Sequence, residues 1–277
     1  MKVAGLPKKR LGQTFLKEPS LAVKIVHAAD ISGEDTVVEI GAGAGILTRE
    51  IAKRAGRVVA LEIDPVLVDG LERAWAGDPR VLIVRQDVLK YDFRALFRER
   101  GDERRLKIVG NVPYYITTPI FFRLLAFREV VETAVLMVQK EVALRLTAQP
   151  GTKDYGIPTV IGAVFSGIKI LFTVPPSCFY PRPKVESAVI RVDFNVPTPA
   201  ARDEALFAAV VRKAFSRRRK TVWNNLRDFG GGVYREEEIR KALAESGIDI
   251  SARAETVSPP RFVTLANILS ERMVGND

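Results

Sequence analysis

Residues 36–45 read Thr-Val-Val-Glu-Ile-Gly-Ala-Gly-Ala-Gly, an apolar and partly β-branched run that leads directly into three glycines at alternate positions. The first five residues predict a strand, and residues 46–55 continue with a helical pattern. A glycine-rich turn between a strand and a helix lets the backbone approach a ligand closely, and the helix N-terminus favours negative charge. This stretch therefore predicts an α/β fold that binds a ligand at the end of a strand.

Strand-like and helix-like segments alternate on both sides of this turn, which predicts a mostly parallel sheet with helices on its two faces. Asp64 followed by Pro65 is typical of a helix N-cap and first turn, and the last two strand-like runs predict a hairpin that closes the sheet. The seven predicted strands are residues 36–40, 57–61, 81–84, 106–109, 133–138, 168–174 and 187–194, and the helices among them are residues 19–29, 46–55, 65–75 and 118–127.

The pattern changes after residues 195–199, Asn-Val-Pro-Thr-Pro, which predict a linker. Four helix-like segments follow, at residues 204–215, 221–226, 236–244 and 259–271. The 277-residue chain is therefore expected to comprise a catalytic domain at residues 1–197, with a basic N-terminal segment, and a small all-α domain at residues 198–277.

The composition restricts the binding partners, the metal sites and the cellular location that this chain can be expected to have. A net charge of +10 indicates a polyanionic partner, with nucleic acid first and an anionic membrane surface second. One cysteine, Cys178, and one histidine, His27, exclude an intrachain disulfide and a Cys/His zinc cluster, so no metal site is expected. Residues 1–10 lack the apolar core of a secretory signal, and the apolar run 157–174 is interrupted by polar residues. We expect a cytoplasmic protein without a membrane span.

Acidic residues follow two predicted strands at the edge where the glycine turn lies. Ligands of such sheets bind outside the carboxyl ends of the strands. Glu62, seventeen positions after Gly45, is placed to accept the hydroxyls of a ribose, and Asp87 to accept the amino group of an adenine. Each taken singly is equally consistent with a helix cap or a solvated loop charge. The glycine spacing differs from that of the dinucleotide fingerprint, which favours a smaller ligand than a pyrophosphate.

The tetrapeptide Asn111-Val112-Pro113-Tyr114 follows the apolar run at residues 106–109. Pro113 removes one backbone donor and fixes its own φ, so the Asn111 amide oxygen and the Val112 carbonyl are candidates for two convergent acceptors. Tyr114 adds a flat face on which a base could stack. By itself the segment is more typical of a β-turn. Beside a nucleoside pocket, it indicates S-adenosylmethionine as cofactor and N-methylation of a base.

Several motifs in order along the chain resemble those of the ribosomal RNA adenine N6,N6-dimethyltransferases, in the branch that acts on small-subunit RNA. The resemblance implies a Rossmann-like class I methyltransferase that dimethylates two adjacent adenosines in a hairpin loop near the 3′ end of 16S rRNA. It also implies a role in small-subunit biogenesis, a pre-30S particle as partner and a monomeric enzyme. The motifs are residues 12–16 (Gly-Gln-Thr-Phe-Leu), 39–45, 111–114, 139–141 (Gln-Lys-Glu), 179–187 (Phe-Tyr-Pro-Arg-Pro-Lys-Val-Glu-Ser) and 215–221 (Phe-Ser-Arg-Arg-Arg-Lys-Thr).

The same resemblance assigns roles to individual positions. The family usually has asparagine where this chain has Thr14, so a side-chain contact from that position to the cofactor is in question. Tyr114 and Phe179 are the candidates for the two stacking faces, although Phe179 is also consistent with a core aromatic. The S-adenosylmethionine-binding positions are Gln13, Thr14, Leu16, Gly41, Gly43, Glu62, Asp87 and Asn111, and the catalytic positions are Asn111, Val112, Pro113, Tyr114 and Phe179.

The predicted mechanism depends on how the protein positions the adenine amine, rather than on acid–base catalysis. The N6 amine of adenine is a poor nucleophile because its lone pair is delocalised into the ring. Two acceptors at Asn111 and Val112 would favour the pyramidal amine, and in-line placement would supply most of the rate without a general base. The target base must leave its stack to reach them. Dimethylation further requires a pocket roomy enough to accept the first methyl.

Basic residues cluster in two places. Those at the N-terminus are Lys8, Lys9 and Arg10, and those in the C-terminal part are Arg217, Arg218, Arg219 and Lys220, predicted to lie on a helix held by flanking apolar residues. Both clusters are candidates for phosphate contacts. A solvated helix face is the alternative.

Three rival functions remain open. They are a macrolide-resistance methyltransferase acting on 23S rRNA, a non-catalytic rRNA-binding assembly or transcription factor on the same fold, and a nicotinamide dehydrogenase. Residues 139–141 and 153–156 favour the small-subunit branch, and the intact glycine turn favours catalysis.

Overall fold

The computed structural model describes residues 13–101, 103–195 and 201–274. These residues form two compact units. The first comprises the described residues up to Ala143 together with Gly167–Asn195, and the second comprises Leu144–Ser166 together with the described residues beyond Asn195.

The first unit contains a seven-stranded sheet in the order β4-β3-β2-β5-β6-β9-β7. Strands β2 to β6 pair in parallel, whereas β9 runs antiparallel to both β6 and β7. The mostly parallel sheet and its closing hairpin are as predicted. A separate two-stranded ribbon joins β1 to β8. The strands are β1 (Phe15–Leu16), β2 (Thr36–Ile40), β3 (Arg57–Glu62), β4 (Val81–Arg85), β5 (Leu106–Asn111), β6 (Val131–Gln139), β7 (Gly167–Val174), β8 (Phe179–Tyr180) and β9 (Ser187–Asp193).

Local sequence explains most of the helices around this sheet. Asp64 caps α3 as predicted, since its carboxylate accepts a hydrogen bond from the Val66 N–H at 3.1 Å. Among the helices around the sheet, α4 and α6 were not predicted, although the Asp92 cap supplies a start signal for α4. The helices are α1 (Pro19–His27), α2 (Ile46–Ala52), α3 (Pro65–Trp75), α4 (Phe93–Arg100), α5 (Thr117–Ala126) and α6 (Lys140–Leu146).

The centre of the sheet positions the functional residues. Every residue of β2 is buried, because a parallel sheet is covered on both faces. Next to it, a Cβ at Gly110 would lie 2.8 Å from the Ile40 carbonyl oxygen, so only glycine allows β5 to approach β2 this closely. This approach brings Asn111 beside the turn that follows Ile40.

The second unit is helical and contains α7 (Ile157–Phe165), α8 (Glu204–Ala214), α9 (Val222–Leu226), α10 (Glu236–Glu245) and α11 (Pro259–Val274). The rings of Phe165 and Phe207 meet edge to face at 5.8 Å, and the Tyr155 hydroxyl donates to the Val257 carbonyl at 2.8 Å. These contacts hold residues 144–166 with the C-terminal helices, although the predicted catalytic domain, residues 1–197, includes them.

The apolar run at residues 157–174 therefore divides into a helix of the second unit and a strand of the first. None of the helices in the described part of the chain combines the length and the apolar character needed to cross a membrane.

Candidate active site

A cavity of about 240 Å³ lies in the first unit at the carboxyl ends of the central strands. This is the edge where ligands of parallel sheets bind. The structure brings together here all eight positions predicted to hold the cofactor, together with Pro113. Those that line the cavity are Gln13, Thr14, Leu16, Gly41, Gly43, Glu62, Asp87 and Asn111.

The glycine turn forms one wall of the cavity. Gly43 has a φ of +58°, a left-handed conformation that side chains disfavour, and a Cβ there would lie 3.3 Å from the Phe15 ring. Its N–H donates to Glu62 Oε2 at 2.9 Å. The turn therefore packs too closely against Phe15 to accept a methyl group at Gly43 without a shift of that ring.

The Glu62 carboxylate is held by three backbone donors. Oε1 accepts from the N–H groups of Ile63 and Asp64, both at 2.9 Å, and Oε2 accepts from Gly43. A carboxylate has about four acceptor positions, so one remains, on Oε2. Acceptance of both ribose hydroxyls, as predicted, would therefore require Glu62 to release one backbone donor.

Asp87 forms a helix cap, one of the two interpretations that the sequence left open, and its position is also compatible with the other. Its Oδ1 accepts the Leu89 N–H at 2.9 Å and so caps the short 3₁₀ helix at Val88–Lys90. The residue also lines the cavity. One oxygen therefore serves the backbone, and Oδ2 has no hydrogen-bond donor among the described residues.

Asn111 has a fixed orientation. Its Nδ2 donates to the Thr14 carbonyl at 2.8 Å. Because a carbonyl can only accept, the atom beside Thr14 must be the amide nitrogen, and the amide oxygen is left as the acceptor. The neighbouring Val112 is buried, its N–H donates to the Met137 carbonyl at 3.1 Å, and its own carbonyl meets no donor in the described ranges. Both predicted acceptors therefore lack a donor in the described ranges, but only Asn111 lines the cavity, and Val112 does not.

The segment at residues 13–16 holds this arrangement through its backbone. Thr14 contacts Asn111 through a carbonyl, so replacement of the family's usual asparagine by threonine leaves this contact intact. Gln13 Nε2 donates to Asp64 Oδ2 at 3.1 Å, and Leu16 pairs with Phe179 in the ribbon of β1 and β8. This segment connects the cap of α3 to Asn111.

The two rings predicted to stack on the target base do not line the cavity. Phe179 is 2% exposed and packs in the core with Leu16, because β8 pairs with β1 and turns this ring inward. Tyr114 is half-buried and shares a hydrogen bond of 2.7 Å with the Ser187 hydroxyl, and burial raises the pKa of its phenol. Either ring would have to leave its present packing to face a base in the cavity.

Tyr115, which follows Tyr114 in the sequence, was not predicted as a site residue. Tyr115 lines the cavity and is 61% exposed. The doubled tyrosine after Pro113 was the available signal, but a sequence cannot tell which of two adjacent rings faces outward. Apolar side chains that line the cavity were also missed: Ile63, Val88, Leu89 and Ile116.

Glu39, which precedes the glycine turn, is a buried acid on the cavity wall. It is 1% exposed, and its Oε2 accepts the Thr48 hydroxyl at 2.5 Å. Burial, with a smaller contribution from the nearby Glu62 carboxylate, raises the pKa of Glu39 to about 8 against the opposing Thr48 hydrogen bond. The carboxyl is therefore largely neutral at pH 7.

The predicted RNA-binding residues form two groups, at the N-terminus and at residues 217–220. Lys8, Lys9 and Arg10 lie outside the described residues. Residues 217–220, hereafter the basic turn, are exposed and connect α8 to α9, so the prediction that they lie on a helix is wrong. Asn225 Nδ2 donates to the Ala214 carbonyl at 2.6 Å and to the Arg217 carbonyl at 3.2 Å, which stabilises the chain where α8 ends.

Within the basic turn, one side chain is already paired. Arg218 Nε donates to Glu255 Oε2 at 2.8 Å, and its guanidinium donates to the Lys153 carbonyl at 2.7 Å.

Within the described ranges, no group of three or more His, Cys, Asp or Glu side chains is arranged to hold a metal ion.

Comparisons with known proteins agree with this geometry. A family model for ribosomal RNA adenine dimethylases matches residues 6–271. Ribosomal RNA small subunit methyltransferase A of Alkaliphilus oremlandii is 41% identical over 266 residues, which cover 96% of this chain and 92% of that protein. The protein of the same name from Geobacillus thermodenitrificans is 44% identical over 265 residues, covering 95% and 90%.

Solved structures extend the comparison to the fold. The crystal structure of the 23S rRNA methyltransferase ErmE aligns with a TM-score of 0.68 at 27% identity, over 92% of this chain and 99% of that one. A dimethyladenosine transferase from Plasmodium falciparum aligns with a TM-score of 0.75 at 24% identity, over 93% and 98%, and this likeness concerns the fold alone.

Proposed function

The chain belongs to the ribosomal RNA adenine dimethylase family, and on that premise we propose that it dimethylates N6 of two adjacent adenosines near the 3′ end of small-subunit rRNA. It is an S-adenosylmethionine-dependent methyltransferase with a Rossmann-like fold. The observation that carries the proposal is the fixed amide of Asn111, whose oxygen remains free to accept a hydrogen bond from an amine. The names of the relatives support the small subunit as substrate.

The residues present fit the cofactor. The turn at Gly43 leaves room where a side chain would intrude, and the cavity walls combine apolar side chains with acceptors. Glu62 would accept one ribose hydroxyl through its remaining position on Oε2, and Asp87 would accept the adenine amino group through Oδ2. When bound, S-adenosylmethionine supplies an electrophilic methyl group on a sulfonium.

The chain itself positions the acceptor amine. The Asn111 amide oxygen and the Val112 carbonyl accept the two N6 hydrogens, which fixes the amine and directs its lone pair. Because Thr14 holds the amide nitrogen, the amide cannot rotate to present a donor instead. Positioning of this kind contributes effective molarity rather than proton transfer, so no general base is needed. The target adenine must be extruded from its stack to reach this point.

We further propose that the basic turn and the basic N-terminal residues contact RNA phosphates. Arg217, Arg219 and Lys220 are exposed, and a net charge of +10 favours a polyanion. The preferred particle is a pre-30S subunit, the enzyme acts as a monomer in the cytoplasm, and its action contributes to small-subunit biogenesis.

One experiment separates the candidate functions. S-adenosylmethionine labelled in its methyl group is offered to unmodified small subunits, large subunits and naked DNA, and the products are digested to nucleosides. We expect labelled N6,N6-dimethyladenosine from small subunits alone. Label in the large subunit would instead identify the 23S type of enzyme. Binding of small subunits without label would identify a non-catalytic assembly factor.

A further inference from the structure

Arg123, on α5, carries a guanidinium that forms no ion pair with another described residue. The side chain is half-buried, and its Nε is buried without a hydrogen-bond partner among the described residues. Burial of a charge costs free energy unless other groups compensate for it. The remaining contacts of this guanidinium must therefore offset that cost.

Two contacts hold the Arg123 guanidinium in place. Its Nη2 donates to the Tyr91 carbonyl at 2.6 Å, and its Cζ lies 4.8 Å from the centre of the Phe127 ring. A hydrogen bond from a charged donor is stronger than one from a neutral donor, and the ring adds a cation–π attraction. Arg123 therefore fixes the backbone at Tyr91.

Tyr91 directly follows the short 3₁₀ helix at Val88–Lys90, which begins at the cavity. Asp87 caps that helix, since its Oδ1 accepts the Leu89 N–H at 2.9 Å. Both Asp87 and Leu89 line the cavity, whereas Tyr91 does not. The hydrogen bond from Arg123 therefore holds this wall of the cavity from outside, at the end of the helix opposite to Asp87.

The helix that carries Arg123 also continues the opposite wall of the cavity. Ile116 lines the cavity and directly precedes α5, and Asn111 lies five residues before Ile116. Arg123 thus connects the wall that contains Asp87 to the segment that contains Asn111.

We propose that Arg123 is a positioning residue for the cofactor. By holding the end of the Val88–Lys90 helix, it keeps Asp87 where Oδ2 accepts the adenine amino group. The inference rests on the role proposed for Asp87 and adds the side chain through which the fold fixes that role. Arg123 does not line the cavity, so its loss should change recognition of the cofactor and leave methyl transfer at saturating cofactor unchanged.

Arg94 offers a matched control, because its guanidinium lies on the same ring. Its Cζ is 4.5 Å from the centre of the Phe127 ring, and its Nη2 donates to the Ala126 carbonyl at 2.9 Å rather than to Tyr91. Replacement of either arginine by methionine removes the donors and keeps a flexible apolar side chain against the ring. The two variants therefore differ in their effect on Tyr91.

The test measures, by calorimetry, the Kd of S-adenosylhomocysteine and of S-inosylhomocysteine, in which an oxygen replaces the adenine amino group. We expect the parent to prefer S-adenosylhomocysteine by about ten-fold or more, and Asp87→Ala to lose this preference. Arg123→Met should bind S-adenosylhomocysteine about three-fold to thirty-fold more weakly and lose most of the preference. Arg123→Lys, which keeps a charged donor, and Arg94→Met should stay within about two-fold of the parent.

The outcomes separate Arg123 from its surroundings. A full preference in Arg123→Met overturns the inference, and so does an equal loss in Arg94→Met, which would assign the effect to packing around Phe127. A full preference in Asp87→Ala refutes the role of Asp87 and the inference with it. Arg123→Ala is expected to show the same loss as Arg123→Met, so the test does not depend on the folding of one variant.

A rate measurement completes the test of Arg123. The single-turnover rate of Arg123→Met on small subunits at saturating S-adenosylmethionine is expected to stay within about two-fold of the parent. A large fall in this rate with unchanged Kd values would assign Arg123 to the Asn111 segment and contradict the proposal. The binding measurements use no RNA and no methyl transfer, so they hold whether or not the proposed rRNA substrate is correct.

Discussion

The cavity and the basic turn are both assigned to the same reaction, yet they are built in opposite ways. In the cavity, the functional polar groups are fixed by specific partners: Glu62 by three backbone N–H groups and Asn111 by the Thr14 carbonyl. In the basic turn, the side chains are exposed, and Arg218 is held by Glu255 at the surface.

This difference predicts how each region responds to mutation. In the cavity, one atom at one place performs each task, so a single substitution removes the task. In the basic turn, the charges act together on a polyanion, and each contributes a similar, salt-dependent share. Substitutions in the two regions should therefore differ in size and in kind.

The largest effect is expected at Asn111. Asn111→Ala removes the amide oxygen that we propose accepts a hydrogen bond from the N6 amine. We expect kcat to fall by about a hundred-fold or more, the range seen when one group that stabilises a transition state is deleted. The measurement is a single-turnover methyl-transfer rate on small subunits. Asn224→Ala, at an exposed position on α9, is the control for the same change elsewhere. A normal rate in the Asn111 variant would refute the mechanism.

The second largest effect is expected from a change in the backbone of the cavity wall, at Gly43. Gly43→Ala forces a side chain into a left-handed conformation, at a cost of about 1–2 kcal/mol, and places a methyl against Phe15. We expect the Kd for S-adenosylhomocysteine to rise about five-fold to thirty-fold. Calorimetry measures it, with Gly77→Ala as control because a Cβ there meets nothing within 4 Å. Equal affinity in the two variants would mean that the turn does not cradle the ligand.

The same contrast explains what could be predicted from the sequence. Gly43, Glu62, Asp87 and Asn111 were identified because chain direction alone places the ends of parallel strands at one edge. The seven strands followed from apolar runs and the turns between them. These are properties of local sequence, and tertiary packing does not alter them.

What the sequence could not predict depends on packing between distant segments. Phe179 is buried because β8 pairs with β1, and Tyr114 is held by Ser187, 73 residues away. Tyr115 is the neighbouring ring that is left to line the cavity. The basic turn was predicted to lie on a helix held by its flanking apolar residues. In the structure, the Asn225 side chain instead hydrogen-bonds the carbonyls where α8 ends and stabilises a turn there.

A separate effect, on stability rather than on rate or ligand affinity, concerns the buried acid in the cavity wall. Glu39, with a pKa raised to about 8, keeps a proton in the folded protein that the unfolded chain releases near pH 4.5. The folded state therefore binds the extra proton between about pH 5 and 8, and stability falls as pH rises through that interval. Below pH 4.5 both states are protonated and this pH dependence disappears.

Glu39→Gln isolates this contribution. Gln does not titrate, so we expect the free energy of unfolding of the parent to fall relative to that of the variant by about 1 kcal/mol per pH unit between pH 5 and 8. Urea unfolding at several pH values measures the difference, and Glu72→Gln, at an exposed site on α3, controls for the loss of one carboxylate. A constant difference between parent and Glu39→Gln across this interval would show that Glu39 is ionised in the folded protein.

The smallest effect is expected in the basic turn, and it is a change of slope rather than a loss of function. Replacement of Arg217 and Arg219 together by glutamine should weaken RNA binding and reduce the slope of log K against log salt by about 0.7 for each phosphate that the protein no longer neutralises. Arg218→Gln is the internal comparison. Because its guanidinium already pairs with Glu255, it has less charge to offer a phosphate, and its variant should change the slope less.

Titrations of a small-subunit hairpin RNA at several salt concentrations measure the parent and both variants. An unchanged slope in the double variant would assign Arg217 and Arg219 to the structure of the helical unit. An equal change in the single variant would mean that the RNA displaces Glu255 from Arg218 and that the basic turn rearranges on binding.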